Sequence, residues 1–374
     1  MTRIAVLGGS GVAGKRIAEI VFQYSDAEVV LLGRNYEKLQ AAREAILQKS
    51  DTAQLAPSNS QRLVAVQVGN NRLDSAIAGS DLVVVAAPVL NQLEYVADTV
   101  LKAGADWLDI LIDTESKQRI LSEIAVRYAK TDQAMIVGAG IHPGMPAVLA
   151  RAVADKFQSL RSVQISLLLA ANWSAYEFSV ETGKEFGREI ADFRTEGWKD
   201  GRWRRFSWSS YESIDFGSVF GKRLCVPMAM TEIHELPQAI PGLRDARVMI
   251  AGFHPVVDYV VMPLSYILQK IRPLTGLGLT LFEVGLKTFH RPPYGTVMVL
   301  EASGDGHDRI RMSITHSDAY ELTSAAAAAT VLQYLNGTLH KPGLQQAGIA
   351  IDPQLFLSDL KQIAGSAMTI ESHE

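Results

Sequence analysis

Short apolar runs alternate with amphipathic helical stretches over the first part of the chain. The predicted strands are 4–7, 28–32, 63–68, 81–86, 107–110 and 134–137. The predicted helices are 15–24, 36–48, 71–78, 91–103 and 115–129. Such alternation predicts parallel strands with crossover helices, and unbroken apolar runs suit a sheet that is covered on both faces. We therefore expect residues 1–145 to form a doubly wound α/β domain.

The pattern changes over residues 146–316, where we expect an α+β domain with an antiparallel sheet. A strand at 161–169 leads through a predicted helix, 175–194, to an Asp-Gly turn between Trp198 and Trp203, which predicts a hairpin. Further strands are predicted near 222–226, 245–251, 295–303 and 309–316. Helices are predicted at 319–335 and 353–363, and we expect residues 317–374 to return to the first domain.

One apolar stretch, 256–289, stands apart from this pattern. Pro263, Lys270, Arg272 and Pro273 interrupt it before the about 20 apolar residues that a bilayer crossing requires. It predicts either a buried or dimer-forming helix pair, or a surface that lines an apolar pocket or touches a membrane peripherally. No transmembrane segment is expected.

Glycines cluster between the first strand and the first helix, in the order Gly8-Gly9-Ser10-Gly11-Val12-Ala13-Gly14. Their spacing fits both the G-x-G-x-x-G fingerprint and its G-x-x-G-x-x-G variant. Backbone without Cβ atoms permits a tight turn and lets a pyrophosphate approach the helix N-terminus. The run predicts that these seven residues bind a dinucleotide in a Rossmann fold; the alternative is a glycine-rich turn without a ligand.

The end of the second strand bears on which dinucleotide binds. It reads Gly33-Arg34-Asn35, without the carboxylate that would accept hydrogen bonds from a ribose 2′-hydroxyl. An arginine at this position can pair with a 2′-phosphate. We therefore predict that Arg34 and Asn35 contact the cofactor and that NADP is favoured over NAD, unless Arg34 only covers the turn.

Candidate chemistry follows the later strands, because ligands of such sheets bind beyond the carboxyl ends of the strands. Small residues that would let the nicotinamide ribose come close are Ala86, Ala87 and Pro88. The candidate proton-transfer residues are His142, Asp113 and Tyr320. Asp113 can instead cap the following helix, and Tyr320 can instead anchor the returning helix.

Composition excludes several classes of protein. The chain has 374 residues, 48% hydrophobic and 20% charged, with a formal net charge of −4, which indicates a globular protein without the basic surface of a nucleic-acid binder. A single cysteine excludes a disulfide framework, and the histidines lack metal-ligand spacing, so no metal site is predicted. The first strand begins near the start, which favours a cytoplasmic protein.

Several motifs together resemble the saccharopine dehydrogenase-like (saccharopine reductase-like) family. They are 6–14, 32–35, 84–88, Gly140-Ile141-His142-Pro143-Gly144, Ile214-Asp215-Phe216-Gly217 and 318–325. The resemblance implies an NADP(H)-dependent oxidoreductase with a Rossmann domain and an inserted α+β domain that binds substrate and often mediates dimerisation. It implies a homodimer that reduces, or forms in reverse, a C=N or C=O carbon of a small substrate.

One departure from the family pattern leaves the substrate open. After the fifth strand the chain reads Asp109-Ile110-Leu111-Ile112-Asp113-Thr114-Glu115, an apolar turn where relatives resemble a polar one. Two other functions therefore stay open, a lipid or enone reductase with an apolar pocket and an NADP(H)-binding sensor without turnover.

Overall fold

The strands and helices are taken from a computed structural model, which describes residues 1–52, 57–69, 73–175, 193–207, 210–339 and 341–373. In chain order the strands are β1 (Arg3–Leu7), β2 (Glu28–Gly33), β3 (Leu63–Gln67), β4 (Leu82–Val85), β5 (Asp106–Asp109), β6 (Ala134–Val137), β7 (Ser159–Ala170), β8 (Glu196–Lys199), β9 (Arg202–Arg205), β10 (Glu212–Asp215), β11 (Lys222–Met228), β12 (Asp245–Ala251), β13 (Gly295–Asp305), β14 (His307–His316), β15 (Gly343–Gln346) and β16 (Met368–His373). The helices are α1 (Val12–Tyr24), α2 (Tyr36–Thr52), α3 (Leu73–Ile77), α4 (Leu93–Lys102), α5 (Glu115–Tyr128), α6 (Met145–Ala154), α7 (Gly217–Phe220), α8 (Thr231–Ala239), α9 (Met262–Lys270), α10 (Thr275–Phe289), α11 (Ala319–Leu335), α12 (Ala347–Ala350) and α13 (Pro353–Ala364).

Two compact units divide the chain. Residues 1–148 and 320–364 form the first, and 149–319 with 365–374 form the second. The domain boundaries that the sequence suggests, near 145 and 316, stay a prediction.

The first unit contains a parallel sheet in the order β15-β6-β5-β4-β1-β2-β3. β1 lies between β2 and β4 and pairs with both in parallel, so the strand order reverses direction at β1. All residues of β4, β5 and β6 are buried, which explains the unbroken apolar runs of β4 and β6; β5 begins and ends with a buried aspartate. The predicted Rossmann-type doubly wound α/β domain is confirmed. Its ligand-binding crevice is expected beyond the carboxyl ends of β1 and β4.

The second unit contains a mixed sheet rather than the purely antiparallel one that the sequence suggests. Its main path is β10-β11-β12-β7-β13-β14-β16, and β8 and β9 extend it beside β12. β7 pairs antiparallel with β13 but parallel with β12. A parallel pair needs a long crossover, and the many residues between β7 and β12 provide it. Hydrophobic alternation reports the faces of a strand and not its direction, so the parallel pair was not predictable from it.

The sequence does not predict three of the strands. β10 pairs antiparallel with β11, β15 joins the first sheet in parallel beside β6, and β16 joins the second sheet beside β14. The short sequence of β15, Gly-Leu-Gln-Gln, has no apolar run. Pairing with a neighbour that is already ordered therefore determines its conformation.

Three local predictions need comment. The predicted hairpin is present as β8 and β9, and its turn residues Asp200 and Gly201 have φ of 53° and 74°. The helix predicted at 36–48 is longer in the structure, because α2 continues to Thr52, and a 3-10 turn covers Pro57–Arg62 before β3. Of the helix predicted at 175–194, residues 176–192 lie outside the described residues; Ala175 ends the turn Trp173–Ala175.

The apolar stretch 256–289 folds into two helices, α9 and α10, that pack on each other. A π-helical turn, Val257–Val261, runs directly into α9. A small core joins it to the rest of the second unit and contains Trp173, Val257, Val261, Phe282 and Leu286. Among the helices of the described residues, none has the length and apolarity to cross a bilayer.

Candidate functional site

The glycine run forms a tight loop between β1 and α1. The Gly8 and Gly9 amides both donate to the Leu32 carbonyl of β2, at 2.9 and 3.0 Å. The Gly11 amide donates to the Gly8 carbonyl at 2.8 Å, which closes the turn. Gly8 has a φ of +94°, and a Cβ there would lie 2.9 Å from the Ala86 backbone. The loop therefore needs glycine at position 8 both for its conformation and for its contact with the end of β4.

The N-terminus of α1 opens beside this loop. Gly11 is its N-cap residue and contributes no side chain, and the first turn contains no acidic residue. A Cβ on Gly14 would overlap the Gly8 carbonyl, so the helix starts in close contact with the turn. Val12 is exposed. Backbone amides at a helix start that has neither a capping side chain nor an acidic residue in its first turn are suited to binding a phosphate group.

The end of β2 presents Arg34 and Asn35 at the surface. Both are exposed, and the Arg34 carbonyl accepts a hydrogen bond from Gln67 Nε2 at 2.8 Å. Asn35 Oδ1 accepts from the Lys38 amide at 2.9 Å, which makes Asn35 the cap of α2. Asn35 thus has a structural role that the sequence analysis did not assign. Arg34 keeps its guanidinium at the surface.

The residues after β4 lie against the glycine loop. The Ala86 amide donates to the Leu7 carbonyl at 2.9 Å, which extends the β1–β4 pairing to the end of both strands. Ala86, Ala87 and Pro88 are half-buried. The short side chains leave backbone accessible at the point where the strand order reverses.

Helix α11 returns to the first unit and contacts the start of α1. Ser324 Oγ lies 3.4 Å from the Ala13 carbonyl, and Arg16 Nε lies 2.7 Å from Glu321 Oε2. Thr323 Cγ2 lies 3.4 Å from the position that a Cβ on Gly140 would take. The glycine loop, the first turn of α11 and the turn after β6 therefore meet. Tyr320 is half-buried and lies one helical turn before Ser324, on the same face of α11.

The turn after β6 holds His142 in a compact structure. The Gly140 amide donates to the Pro143 carbonyl at 2.9 Å, and the Met145 amide donates to the Gly140 carbonyl at 3.1 Å. Burial lowers the pKa of His142 below its usual 6.5, and the nearby Asp113 carboxylate opposes that effect. His142 is therefore neutral near pH 7 and lies within electrostatic reach of Asp113.

Asp113 does not cap α5. The cap is Thr114, whose Oγ1 accepts from the Lys117 amide at 3.2 Å. Asp113 is half-buried and its Oδ1 accepts a hydrogen bond from Gln118 Nε2. The structural alternative considered for Asp113 is therefore wrong, because Thr114 is the N-cap residue of α5.

Asp109 and Lys117 organise this region, and the sequence analysis did not single out the lysine. Lys117 Nζ lies 2.7 Å from Asp109 Oδ1 and 3.0 Å from the Leu111 carbonyl. The Asp109 carboxylate also accepts from the Leu111 and Gly138 amides and from Trp107 Nε1. It thereby links the turn before Asp113 to the turn before His142. The available signal in the sequence is a carboxylate at the end of a buried strand, with a lysine eight residues later at the start of the next helix.

The Asp-Phe-Gly motif of the family resemblance lies in the second unit and has a structural role. Asp215 Oδ1 accepts from the Gly217 amide at 3.0 Å, and Phe216 is buried among apolar side chains. The motif shapes the turn after β10. No group of three or more metal-ligating side chains occurs among the described residues.

No family model matches the chain, and a search of curated proteins gives no match. Among solved structures, saccharopine dehydrogenase (L-Glu forming) from Saccharomyces cerevisiae is similar over 100% of both chains, with a TM-score of 0.68 and 13% identity. A myo-inositol dehydrogenase from Corynebacterium glutamicum is similar over 99% of this chain and 98% of its own, with a TM-score of 0.47 and 13% identity. At such identities the first likeness shows the fold alone: a Rossmann-type α/β domain with a second sheet domain.

Proposed function

We propose that this protein is an NADP(H)-dependent oxidoreductase of the saccharopine dehydrogenase-like type. It transfers hydride between the nicotinamide and a C=N or C=O carbon of a small substrate. The observation that carries the proposal is the loop of Gly8 to Gly14, which meets an uncapped helix start at the reversal point of the parallel sheet. The name and fold of the yeast enzyme support the same class of reaction.

The preference for NADP rests on the end of β2. Gly33 is followed by an exposed arginine and not by a carboxylate, so a ribose 2′-phosphate meets a positive charge. The first-turn amides of α1 would hold the pyrophosphate, and residues 86–88 would border the nicotinamide ribose. The bound cofactor supplies the hydride, and the protein supplies its orientation and a site shielded from water.

We assign the proton transfer to the turn after β6. A neutral His142 imidazole accepts the proton that a hydroxyl or amine substrate loses on oxidation, and it returns that proton in the reductive direction. The Asp113 carboxylate stabilises the imidazolium that forms. Tyr320, one turn before the residues that contact the glycine loop and Gly140, is the second candidate for a hydrogen bond to the substrate.

A binding titration tests the nucleotide site directly. We expect NADPH to bind with enhanced and blue-shifted fluorescence, and we expect Val12→Asp to weaken binding by about tenfold or more, because it brings a carboxylate to the pyrophosphate. Asp is well tolerated in the first turn of a helix, and the side chain is exposed, so the fold is retained. Val12→Asn, which has the same shape without the charge, is the control. Equal binding by all three proteins contradicts the site.

Turnover distinguishes the enzyme from a nucleotide-binding sensor. NADPH oxidation is followed by absorbance with keto acids in the presence of amines, and separately with enones. Consumption in the first set supports the proposed reaction, and consumption with enones alone supports a lipid or enone reductase instead. Binding without consumption in any set favours the sensor. Homodimer formation through the second unit stays a prediction, which sedimentation of the purified chain tests.

A further inference from the structure

The α9–α10 hairpin, residues 257–289, exposes a large apolar surface. Exposed apolar and aromatic side chains on it are Tyr259, Val260, Leu264, Tyr266, Ile267, Ile271, Leu277 and Val284. Ile267 and Leu277 are 56% and 57% exposed. Folded proteins carry single exposed apolar residues everywhere, but a contiguous group of this kind indicates a binding surface.

Small and polar residues lie where the two helices of the hairpin approach each other most closely. Ser265 is fully buried, and its Oγ donates to the Gly278 carbonyl at 2.7 Å across the two helices. A Cβ on Gly278 would lie 2.9 Å from the Ser265 carbonyl, and one on Gly285 would lie 2.6 Å from Val261 Cγ1. The two helices thus approach closely at these small residues, while Phe282 and Leu286 face the core and other large apolar side chains lie at the surface. Close approach through small residues is also found where helices pack in an apolar solvent.

The charges of the hairpin indicate which apolar partner it meets. Between Tyr259 and Phe282 the charged residues in the sequence are Lys270 and Arg272, both basic. The carboxylates of the hairpin, Asp258 and Glu283, lie at its other end, and Glu283 pairs with Lys287 at 2.7 Å. Lys270 ends α9, and Arg272 begins the turn Arg272–Leu274 that connects it to α10. Lys270 Nζ lies 4.9 Å from the centre of the Tyr266 ring. Positive charge next to exposed Ile and Leu complements an anionic lipid surface.

A second copy of the chain complements this surface less well. It would present the same basic turn, so that a symmetric contact of the two hairpins adds like charges. Tyr259 and Tyr266, in contrast, have the amphipathic rings that are enriched at the boundary between lipid and water. Since neither helix is long enough to span a bilayer, the hairpin would lie within one leaflet.

We propose that the α9–α10 hairpin docks this protein on an anionic lipid bilayer, with Ile267, Ile271 and Leu277 inserted among the lipids and Lys270 at the headgroups. This surface is independent of the proposed cofactor chemistry, so either proposal can fail without the other.

Vesicle flotation of the full chain tests the docking. We expect the protein to float with vesicles of phosphatidylcholine and phosphatidylserine, and much less with phosphatidylcholine alone. Ile267→Gln lowers the partition by about tenfold, since it removes one inserted side chain. Lys270→Gln lowers it by about fivefold and weakens its salt dependence. Val126→Gln, an exposed apolar residue on α5, is the matched control and leaves it unchanged.

A fluorescent label reports insertion itself. The one native cysteine, Cys225, is buried, so Ile267→Cys offers an exposed thiol for an environment-sensitive dye. We expect blue-shifted emission when anionic vesicles are added, and no shift for a label at Val126→Cys. Flotation that Ile267→Gln leaves unaltered overturns the proposal. A second result also overturns it: the protein does not float, and in sedimentation equilibrium Ile267→Gln converts a dimer to a monomer. The hairpin would then be a self-association surface.

Discussion

Lys117 Nζ lies 2.7 Å from Asp109 Oδ1, and both side chains are almost completely buried. The lysine also donates to the Leu111 carbonyl, and the aspartate accepts two backbone amides and the Trp107 indole. Removal of one partner of such a pair leaves an uncompensated charge in the interior. Lys117→Met should therefore lower the free energy of unfolding by about 3–5 kcal/mol, measured by urea denaturation.

The control for this prediction lies on the same helix. Arg119 pairs with Glu123 at the surface, at 3.5 Å, and both side chains are well exposed. Arg119→Met should change stability by less than about 1 kcal/mol. Asp109→Asn combined with Lys117→Met should recover part of the loss, since no unpaired charge is left. Equal stability of the Lys117→Met and Arg119→Met proteins contradicts the prediction.

Arg34→Ala tests the assignment of the phosphorylated cofactor. The exposed guanidinium at the end of β2 is expected to bind the 2′-phosphate, and loss of this charge-assisted contact should raise the NADPH dissociation constant about tenfold to hundredfold. The NADH dissociation constant should change little. Lys38→Ala, in the first turn of α2, is the control. An equal loss for both nucleotides contradicts a role for Arg34 in selectivity.

His142→Gln tests the proton transfer. We expect kcat to fall by about 10²–10⁴-fold, because a positioned acid or base contributes this much, while the NADPH dissociation constant stays the same. Asp113→Asn should change the pH profile as well as the rate. The Asp113 carboxylate raises the pKa of His142, so its neutralisation lowers that pKa further. The rising limb of the oxidative rate should then move to lower pH, and an unmoved limb separates Asp113 from the imidazole.

Folding stability should depend on pH through His142. Burial lowers the pKa of this imidazole in the folded state below 6.5, so the unfolded chain binds a proton that the folded chain does not. The contribution of His142 to the free energy of unfolding is therefore fully present above about pH 6.5, and it is lost as the pH decreases below this value. Urea unfolding between about pH 8 and about pH 5 should show the decline, and His142→Gln should remove part of it. Identical pH dependence of the two proteins excludes this contribution.

The sequence predicts the parallel sheet because most of its strands have their own apolar run and alternate with helices. The glycine run identifies the turn between the first strand and the first helix. The apolar pattern cannot predict strands such as Gly343–Gln346, since their conformation depends on a neighbouring strand and not on their own residues. It also cannot predict that β12 runs parallel to β7, because the direction of pairing depends on how the chain connects the strands.

For the candidate site, strand ends identified the turns of Asp113 and His142, but local pattern could not show which side chain caps α5 or that Asn35 caps α2. The partner of Asp109 was also hidden, because an ion pair joins residues through space and lysine at position 117 fits an ordinary polar helix face. Hydrophobic periodicity predicts burial from the class of each residue. It therefore assigns Lys117 to the surface, although this side chain is buried.

The first unit is built from two separate segments of the chain. The second, residues 320–364, brings Ser324 against Ala13 and adds β15 to the edge of the sheet. During synthesis the glycine loop therefore leaves the ribosome long before the helix that rests on it, while all of residues 149–319 are made in between. The sheet and the contact between α1 and α11 cannot be completed before this late segment is made. A nascent chain that ends before it carries an unpaired edge at β6, which chaperones can bind.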